Sequence, residues 1–339
     1  MKKLWIAFAA LLLILSGSSA LKAQGCGDGP SEEGVQVIGF LQSQYEILYA
    51  DKTKNSFLFE RARIGVQGAI PYDFSYYVVL ELSPYIAANP YLMDAFITYE
   101  RFKWARLSVG SFKTPMGLEI NTACSGLISV FRSTASLQMV APFRDMGAVL
   151  MGGSKETKIQ YQLGLMNGSG LKITDNNNKK DVVARVLYKP WDFIQVGGNF
   201  RHGFPSYNNN TDSRTTYGAE LKINYNEFTL MGEYLVDQGD FNRDLGGGCG
   251  GELLLLGEER DGYWGALAYR TKWNIEPMIK YDYFNSGNAQ NYKESNLTFG
   301  INYYLNDWTR LQANYIYRAE EPSELKNDMF VIQVQAKFN

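Results

Sequence analysis

The sequence predicts an all-β fold, a transmembrane antiparallel β-barrel of about sixteen strands. Three features carry this expectation: a secretory leader, a long series of short segments alternating apolar with polar residues, and connectors that alternate between tight and long.

The leader begins with Met1-Lys2-Lys3 and continues with an apolar stretch from Leu4 to Leu15, the make-up of a signal peptide. Cleavage fits after Ala20 or after Ala23. We take 1–23 as the signal because that cut leaves Gln24 as the mature start. Acylation of Cys26 is the alternative, but Ala23-Gln24-Gly25 lacks the large aliphatic residue usual before a lipoprotein cysteine. Residues 24–34 then form a periplasmic segment and 35–339 the barrel. Beyond the leader no apolar run approaches the eighteen or so residues that a membrane helix needs.

From about residue 35 the period is two. Leu297, Phe299, Ile301, Tyr303 and Leu305 alternate with Asn296, Thr298, Gly300, Asn302 and Tyr304. Tyr217, Ala219, Leu221, Ile223 and Tyr225 alternate with Gly218, Glu220, Lys222 and Asn224. Each is a strand with one apolar and one polar face. Such segments begin near residues 35, 56, 73, 91, 104, 144, 157, 181, 192, 214, 227, 261, 275, 293, 307 and 327, an even number, as a closed bacterial barrel requires. Tight connectors at Ile70–Asp73, Phe102–Lys103, Pro190–Trp191, Tyr225–Asn226, Trp273–Asn274 and Asn306–Asp307 interleave with longer polar ones, so periplasmic termini place every tight turn inside and every long loop outside. Trp104, Trp191, Trp273 and Trp308 sit beside those turns, with Tyr72, Tyr188, Tyr225 and Tyr303 nearby, as an interfacial aromatic girdle would. The last strand, Met329 to Asn339, has its final aromatic at Phe338.

Composition excludes several functions. Removing the leader leaves 30 basic residues (33 less Lys2, Lys3 and Lys22) against 35 acidic ones, so no nucleic-acid partner is expected. Tyr (23) and Phe (19) are abundant although mean hydropathy is −0.24, which suits one lipid face and one wet face. Of the cysteines, Cys124 and Cys249 lie in Gly-containing irregular segments and either pair or remain as two thiols. The single histidine, His202, has no nucleophile elbow or metal-ligand cluster beside it, so neither an enzyme nor a cofactor is expected. Asp175-Asn176-Asn177-Asn178 lacks the glycine and glutamate of a calcium loop and reads as a solvated turn.

Several stretches resemble the phosphate-selective porin O/P family of Gram-negative outer membranes: Phe59-Glu60-Arg61-Ala62-Arg63-Ile64-Gly65, Met93-Asp94-Ala95-Phe96-Ile97, Val109-Gly110-Ser111-Phe112-Lys113-Thr114-Pro115-Met116-Gly117, Phe143-Arg144-Asp145-Met146-Gly147 and Leu165-Met166-Asn167-Gly168-Ser169-Gly170. These lie in the first half of the chain; the second half matches only in barrel style. The resemblance implies a sixteen-stranded, usually trimeric, passive channel for small anionic or polar solutes. It also implies that the third outer loop folds into the barrel, which makes residues 113–143 a constriction loop with Lys113, Glu119, Arg132 and Arg144 as candidates. Leu127, Ile128, Val130, Phe131, Leu137 and Met139 supply this loop with apolar anchors.

An arginine facing lipid at mid-membrane costs roughly 2–4 kcal/mol. Parity therefore places Arg61 and Arg63 in the lumen with Arg106, Arg185, Arg201, Lys222, Arg270, Lys280, Arg310 and Arg318, against Glu46, Glu81, Glu100, Glu220, Glu233, Glu276 and Asp282. Ten basic against seven acidic side chains suggest a modest anion preference, with phosphate as a narrower option. The alternative function is a structural barrel subunit of a secretion or uptake complex, favoured by the leucine-bearing loop after Gly239.

Overall fold

A computed structural model describes residues 34–171, 174–175, 177–205, 213–240 and 256–338. The expected leader, Cys26, Cys249 and Leu253 to Leu255 lie outside the described residues.

Alternation of apolar and polar residues leaves an isolated strand with an unpaired backbone, and in lipid only ring closure satisfies every edge. The chain does this with sixteen strands among the described residues: β1 (Gln36–Tyr49), β2 (Lys54–Ile70), β3 (Phe74–Glu81), β4 (Tyr91–Phe102), β5 (Ala105–Lys113), β6 (Arg144–Gly152), β7 (Ile159–Met166), β8 (Asp181–Trp191), β9 (Ile194–Gly203), β10 (Arg214–Tyr225), β11 (Phe228–Gly239), β12 (Glu259–Tyr269), β13 (Ile275–Asn285), β14 (Lys293–Tyr304), β15 (Thr309–Glu321) and β16 (Asp328–Phe338). Every strand pairs antiparallel with its sequence neighbours, and β16 closes on β1 through pairs such as Tyr45↔Ile332.

Strand β13 shows the division of faces most clearly. Ile275, Ile279 and Tyr281 are exposed outward while Glu276, Met278, Lys280, Asp282 and Phe284 are buried inward. The outward surface is an apolar band, and Trp104, Trp191, Trp273 and Trp308 stand exposed along the rim that bears the tight turns. Tyr49, Tyr85, Tyr217, Tyr234, Tyr263 and Tyr317 are exposed nearer the opposite rim, so both interfaces carry aromatics. The tight turns need left-handed backbone, which Asp73, Asn226 and Asn274 provide at φ of 65°, 51° and 60°. Three expected turns move: Phe102 pairs with Ala105 and Tyr225 with Phe228, which shifts those reversals by one residue to Lys103–Trp104 and Asn226–Glu227, and Trp191 pairs with Ile194, so Pro190–Trp191 ends β8 and the reversal falls at Asp192–Phe193. The bulge that ends regular pairing after Tyr188 lengthens the strand past the proline.

Two further bulges change which side chains face inward. The β1–β2 register passes from Gln42↔Arg61 to Ser43↔Phe59, leaving Glu60 as an extra residue, and β3–β4 passes from Val79↔Asp94 to Leu80↔Leu92, leaving Met93 extra. A bulge breaks the alternation locally. Consecutive residues Met93 and Asp94 are both buried, and Glu60 joins Arg61 in the lumen.

Candidate functional site: the lumen and its folded-in loop

The connector between β5 and β6 turns into the barrel. Lys113 belongs to β5 and Arg144 to β6, so the loop proper is residues 114–143. It contains α1 (Leu118–Asn121), a 3-10 turn at Cys124–Gly126 and α2 (Thr134–Val140). Gly117 enters α1 at φ 76°, and an added Cβ would stand 2.5 Å from a Glu233 carboxylate oxygen. That closeness is functional: the Glu233 carboxylate accepts from the Leu118 and Glu119 N–H groups at 3.1 and 3.4 Å, and from Trp264 Nε1 at 3.0 Å. Ser133 caps α2 by accepting from Ser136 N–H, and Arg201 and Arg214 meet its other end. Arg201 donates to the carbonyls of Val140 and Ala141 at 3.1 Å each, and Arg214 to that of Ala141 at 2.6 Å. Helix C-termini carry unmatched carbonyls and partial negative charge, so two guanidiniums there are well placed.

Between the helices the loop is extended, and its backbone must find partners in the wall. It does so in sequence order. Gln42 donates to the Cys124 carbonyl at 3.2 Å, Gln335 to Ser125 at 3.1 Å, Arg310 to Leu127 at 2.9 Å and Asn302 to Ile128 at 2.9 Å, while Val130 N–H donates to Asn314 at 2.8 Å. Leu118 and Ile128 pack on Met231, Trp264 and Met278, and Met116, Ile120, Met139 and Phe143 join Phe284 and Leu256 in a second apolar cluster. The loop is thus held across the lumen from β9 round to β1. Phe131 and Leu137 remain half-buried beside the open space.

That open space is a cavity of about 270 Å³ between loop residues 129–137 and the wall of β13–β16, β1 and β2. Its charged lining is Glu46, Glu60, Asp282 and Glu294 against Arg61, Arg132, Lys280 and Arg318. Of the residues singled out in the sequence, Arg61, Lys280, Arg318, Glu46, Asp282 and Arg132 meet here. Arg61 bonds Glu60 at 3.0 Å, and Lys280 bonds Glu119 at 2.5 Å. Burial alone would push the Glu119 carboxyl up. The Lys280 ammonium and hydrogen bonds from Lys280 and Ser133 outweigh burial and hold it below the usual carboxylate range.

The other singled-out residues lie elsewhere in the lumen. Arg63 pairs with Glu81 at 2.7 Å, Arg185 grips Glu220 at 3.0 and 2.6 Å, and Arg270 pairs with Glu276 at 3.0 Å. Arg144 is buried on Asp94 of β4 at 2.7 Å, away from the cavity. Lys113 donates to the Thr122 carbonyl at 3.0 Å and Arg106 to the Gly153 carbonyl at 2.8 Å. Lys222 and Glu100 are half-buried towards the turn-bearing rim. His202 Nδ1 is hydrogen-bonded to Thr215 Oγ1 at 2.9 Å, and Asp175 accepts from the N–H groups of Asn177 and Asn178 in its turn.

Sequence reading missed two groups. Asp237 binds Arg214 at 2.8 Å and Arg260 at 2.6 Å, all three buried; extending the parity rule to the outer strand ends would have found them. The amide belt of Gln42, Asn302, Asn314 and Gln335 carries no charge and gave no such signal. Glu60 was hidden by the bulge.

A family model described as phosphate-selective porin O and P matches residues 35–242. A search of curated proteins returns no match. Among solved structures, the chain is similar to the anion-selective porin from Comamonas acidovorans, at 12% identity and TM-score 0.68, over 91% of this chain and 100% of that one. It is also similar to Salmonella typhi OmpF (11% identity, TM-score 0.69, 90% and 97% covered) and to OmpT of Vibrio cholerae (13%, 0.66, 90% and 99%). With the closed sixteen-strand barrel, the inward loop and the matched family model together, the chain belongs to the phosphate-selective porin O and P family and is an outer-membrane porin channel.

Proposed function

We propose that this porin passes small hydrophilic solutes beside the folded-in loop with a modest preference for anions, and that it works as a homotrimer with no catalytic step of its own. The observation that carries the anion preference is a group of lysines at the turn-bearing mouth of the lumen, with Lys222 and Lys189 half-buried and Lys155 exposed in the β6–β7 turn. Lys222 lies within electrostatic range of Lys155 and Lys189, and Lys189 donates to the Lys155 carbonyl. The Asp192 carboxylate acts on Lys189, so three ammonium groups face one carboxylate there. The outer cavity, in contrast, is balanced at four acidic and four basic side chains. Charges lining a narrow lumen act at close range, whereas loop charges are screened within about 8 Å. Phosphate specificity forms no part of the proposal, because Arg61, Arg63 and Arg185 already grip carboxylates and do not converge on a shared anion.

The trimer is supported by the likeness to OmpT of Vibrio cholerae, whose structure is described as a trimer form. The outward apolar band supports outer-membrane lipid as the surrounding partner. The test is reversal potential in a potassium chloride gradient across a planar bilayer. The wild type should be mildly anion-selective, and a Lys155→Gln, Lys189→Gln, Lys222→Gln variant less so. A cation-selective wild type, or an unchanged variant, removes these lysines from the mechanism.

A further inference from the structure

The outer cavity contains charges that no ion pair among the described residues neutralises, although two of them also accept hydrogen bonds from the loop. Asp282 accepts from the Thr134 N–H at 3.1 Å and from Asn296 Nδ2 at 3.2 Å. Glu294 accepts from Thr134 Oγ1 at 2.6 Å, Asn296 Nδ2 at 2.7 Å and Tyr292 at 3.0 Å. Among the described residues neither carboxylate has a cation within ion-pair distance, because Lys280 is held by Glu119, Ser129 and the Phe131 carbonyl. The other cations are engaged as well. Arg61 binds Glu60 and Gln42, and Arg132 binds the carbonyls of Glu119 and Thr122. Arg318 is the exception: its backbone N–H meets Asp328, yet among the described residues its guanidinium has no side-chain partner. Between the two sets sits Asn296, buried in the cavity wall, with Nδ2 turned to the acids and Oδ1 left without a partner. A buried acceptor with nothing to accept is uncommon in a finished site.

Register fixes the spacing. Asp282, Asn296 and Arg318 occupy one row across β13, β14 and β15, and Glu294 lies diagonally from Arg318. Neighbouring strands and diagonal pairs put the acidic end roughly 7–10 Å from the Arg318 backbone. With side chains standing roughly perpendicular to the wall the charged heads keep about this row spacing, which an α-amino acid falls short of and a dipeptide, at about 3.3–3.6 Å per residue, spans.

We infer that this cavity is a binding subsite for a small zwitterion the length of a dipeptide, its ammonium held by Asp282 and Glu294 and its carboxylate by Arg318. The inference rests on the cavity being part of the solute path proposed above. Two ends of opposite sign on one wall orient such a solute, whereas an ion of one sign finds an attractive and a repulsive end within the same space. The peptide N–H in the interior of a dipeptide then has Asn296 Oδ1 as an acceptor, while Leu137 and Ile316 face its α-carbons.

The test is calorimetric titration of the refolded barrel in detergent, which requires no conduction, with glycylglycine, glycinamide and N-acetylglycine as probes. Glycylglycine should bind about tenfold more tightly than either singly charged analogue. Arg318→Gln should remove that advantage and Arg318→Lys restore part of it. Glu294→Gln should weaken glycylglycine and spare N-acetylglycine; it is preferred to an Asp282 variant because Asp282 also supports the start of α2. Equal binding by glycinamide would make this a cation site, equal binding by N-acetylglycine an anion site, and absent heat from glycylglycine on a folded barrel would show no site. Each result overturns the inference. A barrel that conducts but does not bind glycylglycine defeats this inference alone, while one that binds it but does not conduct defeats the proposed transport.

Discussion

Replacing Lys280 by methionine tests whether the inward loop is locked by charge. Lys280 and Glu119 are 2% and 4% exposed at their side chains and 2.5 Å apart, and Glu119 has no other cation within bonding distance among the described residues. The substitution keeps the side-chain length and its packing beside Trp264 but strands a carboxylate that only the Ser133 N–H and O–H still serve, each at 2.7 Å. Breaking a buried pair in this way costs about 3–5 kcal/mol. A Lys280→Met, Glu119→Gln double variant removes both charges and should recover most of that, costing about 1 kcal/mol. The assay is equilibrium unfolding in detergent, read by heat-dependent gel mobility, with single-channel recording alongside. Because the loop can detach before the barrel melts, part of the loss should emerge as larger or noisier unit conductance. A single variant that loses under about 1 kcal/mol with wild-type conductance, or a double variant as impaired as the single, would refute the lock.

Three further outcomes follow from the same geometry. Gly117→Ala should lower stability by about 1–3 kcal/mol, because φ 76° and the Glu233 carboxylate leave no room for a Cβ; an unchanged thermal midpoint contradicts this. The Glu119 carboxyl is held below its ordinary value when the loop is docked, so its contribution is complete above about pH 4.3 and lost as pH falls through the depressed value. The thermal midpoint should therefore fall on acidification below that range, and a midpoint constant from neutral pH to about 2 speaks against it. Deleting residues 121–137 should leave a barrel that folds, since its strands pair without them, but with a lower midpoint from exposed Met231, Trp264 and Met278 and with enlarged conductance. Wild-type conductance after correct insertion would place the loop outside the solute path.

Much of the barrel was legible because the period of a strand is local physics. Whether Ile279 faces lipid and Lys280 faces water depends only on neighbours in the chain, and the cost of placing a charge in hydrocarbon makes the choice one-sided. Turns were legible to within a residue or two for the same reason, the largest shift falling at Pro190–Trp191, where a bulge carried the strand onward. The constriction residues were harder. Glu119 and Arg132 lie in the loop, but their partners, Lys280 on β13 for one and backbone carbonyls earlier in the loop for the other, are fixed only by folding.

What the sequence by itself determined is the closed antiparallel barrel, its strand boundaries, its aromatic rim and the side of the wall on which most charges lie. Tertiary structure alone decided which of those charges remain available to a solute. Arg63 and Arg270 are taken by carboxylates of the following strand and Arg185 by one two strands away across β9, Arg201 and Arg214 by the end of a loop helix, and Glu60 enters the lumen only through a bulge. The reason is physical: facing is set by alternation along one strand, whereas pairing is set by register between strands and by a thirty-residue connector crossing the pore, neither of which leaves a periodic trace in the chain.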